Sequence, residues 1–81
     1  MKNDLENIEL KKMRGLFINL FIENKYNEII EEYYIKKKDG IINENIDYII
    51  NILNNGPNNI NEAYILVPIG LSYLYINNEN K

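Results

Sequence analysis

The sequence predicts an all-α protein of four short helices, arranged as two stacked antiparallel α-hairpins. Apolar residues recur at three- and four-residue intervals through most of the chain, the mark of helices with one buried face. Short polar breaks carrying Asp39-Gly40 and Gly56-Pro57 separate these stretches. With 81 residues there is room for a single small helical domain, 1–81. A domain of this size buries roughly 60–65% of its unfolded surface and keeps a stability of only a few kcal/mol.

The first helix is expected over residues 4–22, with Leu5, Ile8, Met13, Leu16, Phe17, Leu20 and Phe21 on one face. Asp4 suits its N-cap and Glu6 its positive end. Gly15, mid-helix, costs about 1 kcal/mol against alanine, which suggests a neighbouring backbone at close range. After the break Glu23-Asn24-Lys25, Tyr26, Ile29, Ile30, Tyr33 and Tyr34 repeat the spacing to Lys38, and Asp39-Gly40 stops the helix.

The third helix is expected over 43–54, with Ile42, Ile46, Ile49, Ile50 and Leu53 on one face. Residues 54–59 (Asn-Asn-Gly-Pro-Asn-Asn) then form the clearest turn in the chain. From Ala63 to Ile76 almost every residue is apolar, which reads as a helix buried on most sides. Pro68 removes one helical hydrogen bond and crowds Tyr64, so a kink is expected there. The alternative is an α+β chain in which 64–67 and 71–76 form a C-terminal β-hairpin around Pro68 and Gly70.

Residues 32–40, closing on Lys36-Lys37-Lys38-Asp39-Gly40, and residues 45–64, through Asn55-Gly56-Pro57-Asn58, resemble a tetratricopeptide repeat. They correspond to the end of its first helix with the glycine turn, and to its second helix with the proline-containing exit. Leu66, Ile69-Gly70 and Tyr73 match the next first helix, where the family places a small residue at a close helix crossing. Residues 24–31 match the turn and second-helix start, in a different phase. The small positions of the family's second helix carry Ile29, Asn45 and Ile52 here. The resemblance implies stacked α-hairpins and a protein-binding role.

Composition narrows the chemistry. The chain has no His and no Cys, so imidazole bases, thiolates, disulfides and nearly all zinc sites are excluded. Glu28, Glu31 and Glu32 read as a solvated helix face beside lysines, and Asp39, Glu44 and Asp47 lack EF-hand spacing. No metal or cofactor is expected, and no enzyme. Lys36, Lys37 and Lys38 read as compensation of a helix C-terminus. Net charge is −3, without the basic footprint of direct nucleic-acid binding. The N-terminal residues lack the apolar core of a signal peptide, and 63–76 is too short to span a bilayer; a cytoplasmic protein with no membrane association is predicted.

What remains is binding to another protein. Seven tyrosines are many for so small a core. Tyr33 and Tyr34 lie about 100° apart on a helix, so one faces outward. Tyr33, Tyr34, Lys37, Tyr48 and Tyr64 are the candidate partner-binding residues. The apolar last segment predicts a homodimer through Leu66, Ile69, Tyr73 and Ile76. The expected function is a non-catalytic protein–protein interaction module, a small helical adaptor. The alternative, prompted by the Asn- and Ile-rich, AT-rich coding bias, is a phage or mobile-element inhibitor (an anti-CRISPR, antitoxin or immunity protein) that blocks a bacterial enzyme.

Overall fold

The computed structural model of the protein describes residues 2–79, and side chains over 8–78. Helix α1 spans Lys2–Ile22, α2 Tyr26–Lys38 and α3 Ile46–Asn55. The last helix opens at Ile60, passes through a π-helical turn at Glu62–Leu66 and continues as α4, Val67–Glu79. No strand occurs among the described residues, so the fold is all-α and the C-terminal β-hairpin is ruled out.

The π turn is the structural answer to Pro68. A proline in a regular α-helix crowds the carbonyl four residues earlier, here that of Tyr64, and donates no hydrogen bond. Widening the preceding turn, so that the Val67 N–H reaches back to Glu62, relieves the crowding without breaking the helix.

The connections follow from residues that tolerate a left-handed backbone. Asn24 (φ 62°) ends α1 in a Schellman motif: the Lys25 N–H donates to Leu20 at 2.9 Å and the Asn24 N–H to Phe21 at 3.0 Å. Gly40 (φ 77°) repeats the motif after α2, with the Ile41 N–H donating to Lys36 at 2.8 Å. The α1 boundary differs from expectation at its start. Asp4 lies inside the helix rather than capping it, and the side chains of Leu5 and Glu6 fall outside those described.

Helix α3 also starts later than expected, at Ile46 instead of Asn43. The cause is a long-range contact. The Tyr33 hydroxyl donates to the Glu44 carbonyl at 2.8 Å, and Ile42 is buried in the core. Residues 42–45 therefore run non-helically past the end of α2, with Asn45 extended as the N-cap.

One core serves all the helices: Met13 and Phe17 from α1, Ile29 and Tyr33 from α2, Ile42, Ile49 and Ile52 from α3 and its approach, and Ile65, Leu66 and Ile69 from the last helix. Helix α4 touches α1, α2 and α3, which makes it the centre of the fold. At the α3 crossing Gly70 is buried, and a Cβ there would stand 2.9 Å from Ile49 Cγ2 and 3.0 Å from Leu53 Cδ1. Gly15 differs from its expected role, since it is exposed and no atom lies within 4 Å of where its Cβ would be.

Candidate interaction surface

The residues singled out from the sequence divide sharply by burial. Tyr33 is 1% exposed and spends its hydroxyl on Glu44, so it is a core residue and not a contact for a partner. Burial raises its phenol above the ordinary tyrosine range. Tyr34, its neighbour, is exposed on the outer side of α2, its ring 5.3 Å from that of Tyr33. Lys37 turns back toward the α2–α3 loop, its Nζ 3.5 Å from the Asn43 carbonyl. Tyr48 and Tyr64 are both exposed.

The expected dimer face requires a correction. Leu66 and Ile69 are buried, Ile69 completely, and Tyr73 and Ile76 are partly covered. This is the face that α4 turns inward. Helices α1 and α2 cover the side of α4 that was expected to lack a partner.

The opposite face is the exposed one. Ile60, Tyr64, Leu71, Leu74 and Tyr75 are 40–56% exposed, with Val67 half-buried among them. They recur at three- and four-residue steps, so they form a stripe along the outer side of the last helix. Tyr75 is steadied by Tyr26, their ring centroids 4.6 Å apart, and Tyr26 in turn meets Phe21 edge-on at 5.7 Å. The stripe is thus held by the α1–α2 turn beneath its C-terminal end.

Its N-terminal end is fixed by Glu62. The Asn59 side chain accepts from the Glu62 N–H at 3.0 Å, while Glu62 Oε1 accepts from the Asn58 N–H at 2.8 Å. This is a variant of the reciprocal capping box at a helix N-terminus. Glu62 Oε2 accepts from the Tyr48 hydroxyl, which ties the cap to α3. On the preceding residue, Asn61 Oδ1 accepts from the guanidinium of Arg14 on α1 at 3.1 Å. Four elements meet at this point, and its signal in the sequence is Asn59-Ile60-Asn61-Glu62, an Asn followed three residues later by a Glu.

The Tyr48 hydroxyl, then the Asn58 N–H, hold the Glu62 carboxyl below the ordinary carboxylate range. The same bond to Glu62 raises the Tyr48 phenol. A depressed carboxylate pKa adds stability above the unfolded-state value and loses it as pH falls through the folded-state value. Glu62→Gln should therefore flatten the acid side of the melting temperature–pH curve. A wild-type and a variant curve that run parallel from neutrality to about pH 3 would contradict this role.

A shallow depression of about 200 Å³ lies beside the cap, lined by Leu10, Met13, Ile41, Ile65 and Leu66 with Glu44 and Glu62 at its edge. Among the described residues no group of three or more carboxylates converges as a metal site, and no helix is long and apolar enough to cross a membrane. The ion pairs Lys36–Glu32 at 3.2 Å and Lys25–Glu23 at 3.1 Å are local, solvent-screened contacts that add little to the fold.

Comparison of the chain with models of known protein families, with curated proteins and with solved structures gave no match.

Proposed function

We propose that the protein is a non-catalytic protein–protein interaction module, a small helical adaptor that works through the outer face of its last helix. The observation that carries this reading is the apolar stripe Ile60, Tyr64, Leu71, Leu74 and Tyr75. Isolated exposed apolar residues are ordinary on any protein, but a contiguous row on one helix is a contact surface. Tyrosine in this row suits a desolvated contact, because it buries large area at low entropic cost. Tyr48 and Tyr64 belong to this region and remain binding residues in this reading; Tyr34 and Lys37 lie on α2, away from the stripe. The absence of His and Cys from the sequence supports a role without thiolate or imidazole chemistry. The buried Gly70 at the α3–α4 crossing supports the likeness to tetratricopeptide hairpins, which place a small residue at such a crossing.

The test is photo-crosslinking in cells, with a benzophenone side chain placed at Leu74 or, as control, at exposed Asn51 on α3. The expected result is one discrete protein adduct from position 74 and none from position 51. The same adduct pattern from both positions, or no adduct from either, would overturn the proposal.

A further inference from the structure

We infer that the stripe on the last helix is a self-association seam whose occupant is a second copy of this chain. The inference rests on the reading of that face as a protein-contact surface, and it names the partner.

An exposed apolar row on one helix is the first ground. Ile60, Tyr64, Val67, Leu71 and Leu74 follow one another at steps of four, three, four and three residues. Because residues 63–76 are apolar on both sides and pass through the π turn at Glu62–Leu66, it is the exposure of this row, opposite the buried Leu66, Ile69 and Ser72, that marks a face able to pack along another helix. It extends over about 20 Å of helix, so the matching surface is a second apolar helix and not a loop or a pocket-filling side chain.

Charge is the second. No charged residue occurs in the sequence between Glu62 and Glu79, and Glu62 is buried and hydrogen-bonded within its own chain. Positions flanking such a seam normally carry the charges that choose a partner. Here the flanking positions are Asn61, Ala63 and Asn77, while Pro68 and Gly70 are buried within the chain. A protein of net charge −3 repels its own copies, and residues 63–78 of this helix add no charge to that repulsion. In an isologous contact the same patch serves both copies, and an uncharged apolar row meets its own copy without charge conflict along its length. A lipid surface would call for Lys or Arg beside the apolar stripe, and residues 63–78 contain neither.

Area sets the strength. The exposed fractions leave roughly 500 Å² of the stripe accessible per copy, so pairing would bury about 1,000 Å², the lower bound for a specific interface. An interface at this lower bound is a weak, reversible one.

Sedimentation equilibrium of the full chain, from about 5 to about 500 μM, tests this. The weight-average mass should rise from 9.6 kDa toward twice that value. Leu71→Glu should weaken association at least about tenfold by placing like charges in the seam, with an unchanged helical circular dichroism spectrum. Should Leu71→Glu lose structure, Leu74→Lys serves the same purpose from the next turn. The control Asn51→Glu should associate as the wild type does. A wild-type mass that stays at 9.6 kDa throughout overturns the inference. So does association that survives both seam variants. A monomeric chain that co-sediments with lipid vesicles overturns it in favour of a membrane surface. A monomeric chain that still crosslinks a different protein from position 74 overturns the second copy and leaves the contact surface standing. Absence of any adduct from that position removes both.

Discussion

Replacing Gly70 by leucine should lower the stability of the fold by about 1–3 kcal/mol, through overpacking at the α3–α4 crossing. A domain of this length loses roughly 4–8 °C of melting temperature per kcal/mol, so the shift is readable in a single thermal scan. A Cβ at this position would lie 2.9 Å from Ile49 Cγ2 and 3.0 Å from Leu53 Cδ1. Leu53 can swing its tip aside, but Ile49 is β-branched and sits inside α3, where its χ1 is restricted. The crossing must therefore open, and α4 is the helix that every other helix packs against. Gly70→Ala isolates the steric part. Alanine gains about 1 kcal/mol of helix propensity over glycine, yet the close approach should make the variant less stable than wild type. Gly15→Ala is the internal control, because its Cβ meets nothing within 4 Å and its φ is not positive. That substitution should stabilise by about 0.5–1 kcal/mol. Two glycine-to-alanine changes of the same sign would show that propensity, not packing, decides at Gly70.

The contrast between these glycines shows where a sequence carries structural information. Gly40 and Asn24 sit at helix ends beside polar breaks, and a left-handed residue there is a local requirement that the neighbours announce. Gly15 and Gly70 both lie inside helices, and only the tertiary neighbour distinguishes them. Helix α2 matched its expected bounds because Ile29, Tyr33 and their neighbours have a single apolar face, which fixes the phase. The start of α3 was not readable, since the residue that holds 42–45 out of the helix is Tyr33, more than ten positions earlier. Segment 63–76 was legible as buried but not as oriented. It is apolar on both sides, so its periodicity has no phase, and the inner row containing Leu66 and Ile69 looks the same in sequence as the outer row containing Leu71 and Leu74. The tyrosine pair on α2 shows the intermediate case. Their 100° offset required one to face outward, and the structure assigns that position to Tyr34.

The Glu62 cap and the π turn together explain how so apolar a helix begins at the surface and reaches the centre of the fold. A helix N-terminus leaves backbone N–H groups without partners, and Asn59 supplies the acceptor for one of them. Buried carboxylates need several donors, and Glu62 has the Tyr48 hydroxyl and the Asn58 N–H. These bonds connect α3 to the start of the last helix across the Gly56-Pro57 turn. The turn itself contributes a glycine with φ 90°, a conformation that side-chain-bearing residues rarely adopt. The outer stripe is therefore anchored at one end by polar bonds and at the other by the Tyr26–Tyr75 stack.

Ile69→Ala and Leu71→Ala, two residues apart on α4, should separate folding from binding. Ile69 is fully buried, and removing its side chain costs the lost transfer energy together with the cavity left behind, about 2–5 kcal/mol. That is comparable with the whole stability of a domain this small, so the variant should be largely unfolded at physiological temperature. Leu71 is 41% exposed, and truncating it should change the stability of the monomer by no more than about 0.5 kcal/mol. Chemical denaturation measured at low concentration, where self-association does not contribute, reads the first effect. Crosslinking from position 74, together with the sedimentation series, reads the second. The expected pattern is loss of fold without a separate binding defect for Ile69→Ala, and loss of binding with an intact fold for Leu71→Ala. If Leu71→Ala destabilised the isolated chain as much as Ile69→Ala does, the outer row would be part of the core. If Leu71→Ala bound and folded as wild type, the outer row would be surface without function.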